Sequence, residues 1–253
     1  MLKSFFFAKK KKQELMNIAP VKFDNVRNRI SKKILVLPIE KHGCLVQEDC
    51  EPDFELITYS YDGSDENSFE HYFSKVKPLR HLSFKTEFFG ESLKHIIKHL
   101  KDNDSFDLVL ILNGDVMTSF SEVNRCFFLA QVHGLDAFQP SLSRDSFYSH
   151  QHLLNQPGLF VQEVPFIELM MLGLSVRVVR ALHDENEFNI SGWGLDDVLL
   201  PYLLRKNGWL KPHVIHASIA RHCKPVESSH MIFSSGKSAR DEHQEILAKY
   251  EQL

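Results

Sequence analysis

The chain has 253 residues, 43% of them hydrophobic and 25% charged, with a net charge of −3. This is the make-up of an ordinary soluble globular chain with material for one sizeable domain, and the slight acidity argues against nucleic acid as the main partner. No apolar run is long enough to span a bilayer and the N-terminus lacks a signal-peptide core, so a cytoplasmic setting is expected.

In chain order, Phe5-Phe6-Phe7 followed by Lys9 to Lys12 reads either as a solvated terminus or as a peripheral contact with an anionic inner membrane surface. Ile34-Leu35-Val36-Leu37, closed by Pro38 and Glu40, suits a buried parallel strand. Phe54 to Tyr61 is a second strand, stopped by Asp62-Gly63, and Leu79 to Phe84 a third that ends at Lys85. A short crossover helix is expected over Asn67 to Val76, and an amphipathic helix over Phe88 to Leu100. Phe106 to Leu112 is the most apolar strand of the chain and runs out into Asn113-Gly114-Asp115. Alternation of this kind implies an α/β fold with a parallel sheet, whose ligands bind beyond the carboxyl ends of the strands. One acid at each of three strand ends is a set that a nucleotide and a divalent cation can share, although each acid alone also suits the start of a loop.

The middle of the chain mixes strand-like and loop-like pieces: Gln139-Pro140-Ser141-Leu142, Asp145-Ser146 and His150, then Val161 to Met171 with Glu163 and Glu168, the latter inside the otherwise apolar run Phe166 to Met171. A charge in such a strand needs a partner or faces a cleft. Gly192-Trp193-Gly194 precedes Asp196 and Asp197, which open a helix expected to reach Lys206. Glycines allow close backbone approach, an indole face suits sugars, and a helix N-terminus favours an ionised acid. The same residues also suit a capped helix with a buried Trp. His213, His216 and His222 are candidate ligands for a transition ion, though their spacing specifies no site. Cys44, Cys50, Cys126 and Cys223 lack metal-site pairing and read as reduced packing residues. Ser238 to Leu253 reads as a final amphipathic helix with Ile246, Leu247 and Tyr250 on one face.

Taken in order, Tyr61-Asp62-Gly63, Asn113-Gly114-Asp115, Gln139 to Leu142 with Asp145-Ser146 and His150, Phe166 to Met170, Gly192 to Asp196 and His222 resemble the plant and bacterial family of unknown function once labelled lysine-ketoglutarate reductase trans-splicing-related. Gly192-Trp193-Gly194 with its acids and Arg221-His222 also resemble inverting galactosyltransferases. The resemblance covers roughly residues 34 to 226 and implies a GT-A glycosyltransferase: a Rossmann-like mixed sheet with flanking helices, in a single domain over 31–232, between an extension over 1–30 and a C-terminal helix over 233–253. It implies a nucleotide-diphosphate sugar donor, a saccharide or lipid-linked saccharide acceptor in surface polysaccharide synthesis, and Mn2+ or Mg2+ held by Asp115 and His222, with His216 in reserve.

By the same resemblance, Asp196 or Asp197 is the base, and Trp193 stacks on a sugar between Gly192 and Gly194. Pro38, Glu40, Asp62, Lys85, Asn113, Gly114, Gln139 and Glu168 line the substrate site. Asn113 stands where those families carry the first acid of Asp-x-Asp. That departure keeps open a metal-dependent nucleotidyltransferase or sugar-phosphate hydrolase, and a non-catalytic carbohydrate- or nucleotide-binding domain.

Overall fold

Apolar runs build the centre of the sheet in the computed structural model, which describes residues 31–39, 44–64, 73–103, 105–225 and 231–250. Strands β1 (Lys33–Pro38) and β5 (Leu108–Leu112) are buried at every position, and β3 (Glu55–Ser60) at all but its first. Residues covered on both faces are mostly apolar on both, so β1 and β5 lack the alternation of a half-exposed sheet, while β3 buries Thr58 and Ser60 among its apolar residues. With β4 (Arg80–Ser83) they pair in parallel in the order β4-β3-β1-β5.

The other half of the sheet changes direction. Strand β9 (Met171–Ser175) runs antiparallel to both β5 and β7 (Ala137–Leu142). Beyond β7 lies β10 (His213–His222), parallel to β7 and antiparallel to β8 (Val161–Glu163) and β6 (Val116–Ser119), with β2 (Val46–Gln47) outermost. Strand β10 is irregular. Ile215 pairs with Pro140 and Ile219 with Ser141, so residues 216–218 bulge out of the ladder.

Helix α1 (Phe89–Asn103) packs on α3 (Val176–Glu185), while α2 (Phe120–His133) covers β7 and β10. Ser119 caps α2 by accepting the Glu122 N–H, and Gly134 ends it at φ +60°. All described residues from Ser31 onward fall in one unit.

Three expectations change. The strand expected over Phe166 to Met171 does not form: residues 164–170 are loop, Glu168 lies outside the ladder, and pairing resumes only at Met171. The crossover helix expected over Asn67 to Val76 lies largely outside the described residues, and Phe73 to Val76 is not helical. The helix expected from Asp196 begins instead with a π-helical turn, Leu195–Leu199, before α4 (Leu200–Lys206). Pro201 lacks the donor that would close an α-turn on Asp197, and the wider ring forms through Leu199 N–H to the Gly194 carbonyl at 2.9 Å.

The final helix, α5 (Ala239–Tyr250), is capped reciprocally by Ser238 and Asp241 and packs on that π turn. Among the described residues no helix is long and apolar enough to cross a membrane.

Candidate active site

The end of β5 is shaped by a tight turn. Asn113 donates its N–H to the Met170 carbonyl at 2.9 Å, and its side-chain oxygen accepts the Gly114 N–H at 2.9 Å. The chain then enters β6, whose Val116 pairs with His222 at the end of β10, and Cys223 donates its N–H to the Asp115 carbonyl at 2.9 Å. Residues 107 positions apart therefore meet: His222 Nε2 lies 3.1 Å from Asp115 Oδ2. On its other side His222 Nδ1 lies 3.0 Å from the Phe147 carbonyl, which can only accept, so Nδ1 carries a proton. In the neutral ring Nε2 then presents a lone pair to a carboxylate, an arrangement that either a second proton or a cation relieves. Burial pulls the His222 pKa down, but Asp115, the Phe147 carbonyl and Glu168 together carry it above the usual imidazole range.

Two buried carboxylate oxygens beside this pair, Asp115 Oδ1 and Glu168 Oε2, have no hydrogen-bond partner among the described residues. Orphaned oxygens of this kind suit a divalent cation. Two ligands at right angles on an octahedral ion of about 2.1 Å bond length stand about 3 Å apart, which the Asp115–His222 spacing matches. Among the described residues no group of three or more His, Cys, Asp or Glu side chains is assembled as a metal cage. A cation here would need oxygens from its substrate.

Gln139, expected to line the substrate site, is wholly buried in β7, and its side-chain oxygen accepts the Glu168 N–H at 2.7 Å, so it supports the Glu168 loop from beneath. Burial pushes the Glu168 carboxyl up to about 7, against the pull of the His222 charge.

The Gly-Trp-Gly segment is tied on every side. The Asn189 side chain accepts the Gly192 N–H at 2.7 Å and donates to the Trp193 carbonyl at 2.9 Å, and Ser191 Oγ accepts the Trp193 N–H at 3.1 Å. Glu242 of α5, itself buried, accepts the N–H groups of Ile190 and Ser191 at 3.3 and 2.8 Å. Gly192 and Gly194 sit at φ +86° and +88°. A Cβ on Gly192 would stand 2.7 Å from Leu169, and one on Gly90 within 2.3–2.8 Å of the backbone at 189–192. Trp193 itself is half-buried.

The two acids that follow are unlike. Asp196 was expected to stay ionised at a helix N-terminus; instead burial, then the charges of Asp197 and Glu168, push its carboxyl up to about 7, and one oxygen accepts the Asp197 N–H at 3.0 Å. Asp197 is exposed and its Oδ2 lies 2.9 Å from His243 Nε2 on α5. His150, packed edge-on against Phe166, feels the Asp197 charge as well.

The remaining candidates lie further off. Pro38 is buried at the end of β1, opposite Tyr59. Asp62 and Lys85 bridge each other at the carboxyl ends of β3 and β4, the sheet end to which β5 delivers Asp115. Glu40 lies outside the described residues, as do Phe5 to Lys12. His216, the reserve metal ligand, stands in the β10 bulge with Nδ1 accepting the Gln156 N–H at 3.2 Å and Nε2 at 2.9 Å from Gln162, so both ring nitrogens are engaged within the protein.

Sequence reading missed Gly90, Glu242 and His243. A signal existed for Glu242, since Ala239, Glu242, Ile246 and Tyr250 recur at helical spacing and all are buried.

No family model matches the chain, and no curated protein matches it. Solved structures do. The S. aureus TarS fragment 1–349 in complex with UDP-GlcNAc aligns at a TM-score of 0.57 and 12% identity over 85% of this chain and 64% of that one. GalNAc-T7 with UDP, GalNAc and Mn2+ aligns at 0.55 and 8% identity over 88% and 49%. The fold is the GT-A glycosyltransferase fold. Within it, Asp115 follows the strand that ends the parallel half of the sheet, and the Gly-Trp-Gly segment with its acids leads into α4. The chain spans between about half and two thirds of the length of these two structures.

Proposed function

We propose that this chain is a glycosyltransferase that moves a sugar from a nucleotide-diphosphate donor to a hydroxyl of a saccharide or lipid-linked saccharide, with inversion and with Mn2+ or Mg2+. The observation that carries this reading is the contact of His222 with Asp115, with orphaned oxygens on Asp115 and Glu168 beside it. The order of six motifs supports kinship with the trans-splicing-related family of unknown function, and the GT-A fold is compatible with it. Work on surface polysaccharide at the inner face of a membrane remains part of the proposal.

Asp115 and His222 would hold the cation, which when bound supplies a Lewis acid for the departing diphosphate. Asp196 takes the proton of the acceptor hydroxyl. A carboxyl with a pKa of about 7 is a stronger base than an ordinary one and is still half ionised at neutral pH. Trp193 offers its exposed part to a sugar face, while Asp62 and Lys85 meet the ribose and a phosphate at the strand ends.

The test is a panel of nucleotide sugars with purified protein and Mn2+. Expected are a rise in melting temperature with one donor, release of its nucleoside diphosphate when a saccharide acceptor is added, and loss of both on chelation or in Asp115→Asn. A panel in which no nucleotide sugar binds with Mn2+ or Mg2+ overturns the reading.

A further inference from the structure

Helix α5 reaches the segment that carries the two acids through three of its side chains. Glu242 accepts two backbone N–H groups just before Gly192, His243 meets the Asp197 carboxylate at 2.9 Å, and Ile246 lies against Gly194. A helix that merely closed the core would place apolar side chains at all three points. Instead α5 buries a carboxylate against the loop and sets an imidazole against one of two consecutive acids.

Asp196 and Asp197 are chemically identical and adjacent, so something in the fold must give them different work. Asp197 Oδ2 is engaged by His243, whereas among the described residues Asp196 has only the backbone Asp197 N–H as partner and meets like charge from Asp197 in its own turn and from Glu168 in the loop before β9. Asp197 in turn faces His243 from α5 and His150 from the segment after β7.

We propose that His243 is a positioning residue that assigns the base role to Asp196: by holding the Asp197 carboxylate against α5, it keeps that acid from taking the acceptor proton and fixes it as a stationary negative charge beside Asp196. This rests on the glycosyltransferase reading above. Glu242 serves the same end by fixing the backbone through which both acids are hung.

The experiment compares wild type, His243→Ala, His243→Gln, Asp197→Asn and the double variant His243→Ala with Asp197→Asn. For each, kcat, donor KM and the pH profile of kcat/KM are measured, with the titration midpoint of the Asp196 carboxyl followed by carbon NMR. A misplaced catalytic group loses about tenfold or more in rate, so His243→Ala is expected to lose that much in kcat with donor KM unchanged. His243→Gln, whose amide can still donate to Asp197, retains most of the rate. The double variant is no worse than the poorer single one, as for two residues acting as a unit.

Asp197→Asn lowers the Asp196 midpoint and moves the pH profile with it. A wild-type kcat and pH profile in His243→Ala overturns the proposal, as does an active Asp196→Asn beside an inactive Asp197→Asn; in both cases the transferase reading stands. If wild type turns over no donor, that reading fails, and an Asp196 midpoint unmoved in both His243→Ala and Asp197→Asn overturns the positioning role as well. Melting curves separate these outcomes from unfolding.

Discussion

Gly194 of the Gly-Trp-Gly segment lies directly against Ile246 of α5: a Cβ on Gly194 would stand 2.9 Å from the Ile246 Cβ. The glycine is also at φ +88°, a backbone that L side chains rarely adopt. Conformation and contact thus demand the same residue.

Gly194→Ala is accordingly expected to destabilise the chain. Strain at a positive-φ position costs about 1–3 kcal/mol, and the clash adds to it. Because Ile246 supplies the clash through its Cβ, Cγ2 and Cγ1, Ile246→Gly in the same chain, which removes all three, should recover part of that loss, making the pair less than additive in thermal or denaturant unfolding. Strict additivity would mean that the two do not touch.

Stability and activity should respond to pH in opposite senses. Asp196 and Glu168 both have carboxyls raised to about 7. Between the ordinary carboxylate range and pH 7 the folded protein keeps protons that the unfolded chain has lost, so stability falls as pH rises through this window. Asp196→Asn and Glu168→Gln should therefore raise Tm at pH 8 and much less at pH 5, each kcal/mol appearing as about 2–4 °C in a domain of this size.

The rate, measured with saturating cation, should climb through the same window and level off above about pH 7, since the base works only when ionised. Asp196→Asn is expected to lower kcat about 100-fold or more. A flat profile between pH 5 and 8 would remove Asp196 from the proton transfer.

Cation binding should depend on His222 as an imidazole. Its pKa is raised, so protons compete with metal and the apparent affinity for Mn2+ in the presence of nucleoside diphosphate should increase with pH. Calorimetry on His222→Ala and Asp115→Asn should show that affinity reduced by about 10-fold or more, with the fold intact by circular dichroism.

Gln139→Leu tests the support beneath Glu168. It leaves the Glu168 N–H without its acceptor, a loss of about 1–3 kcal/mol if no other group substitutes. Metal-dependent nucleotide binding should weaken alongside, although Gln139 itself is wholly buried.

The parallel half of the sheet was legible because Ile34 to Leu37 and Leu108 to Leu112 are short, wholly apolar and bounded by turn residues, a pattern that burial on two faces imposes. The encounter of Asp115 with His222 was legible only through motif resemblance, since no local periodicity links positions 107 apart. The Asp196 environment was misread for a physical reason: the macrodipole argument assumed an α-turn open to water, whereas the turn is π-helical and the carboxyl is partly withdrawn from solvent beside the charges of Asp197 and Glu168. Glu242 was passed over because an acid in a helix ordinarily faces solvent, and only the backbone N–H groups of Ile190 and Ser191 explain its burial.

Gly173 sits opposite Phe138 where β9 meets β7, and a Cβ there would lie 2.4–2.5 Å from the Phe138 carbonyl and ring. Successive residues of a strand point to opposite faces, so Phe138 fills the layer beneath while its neighbour Gln139 holds Glu168 on the other. One missing side chain thus sets the height of a seesaw: a methyl group added at 173 would push on Phe138 in the hydrophobic layer, next along the strand from the residue that holds the Glu168 backbone N–H on the far side.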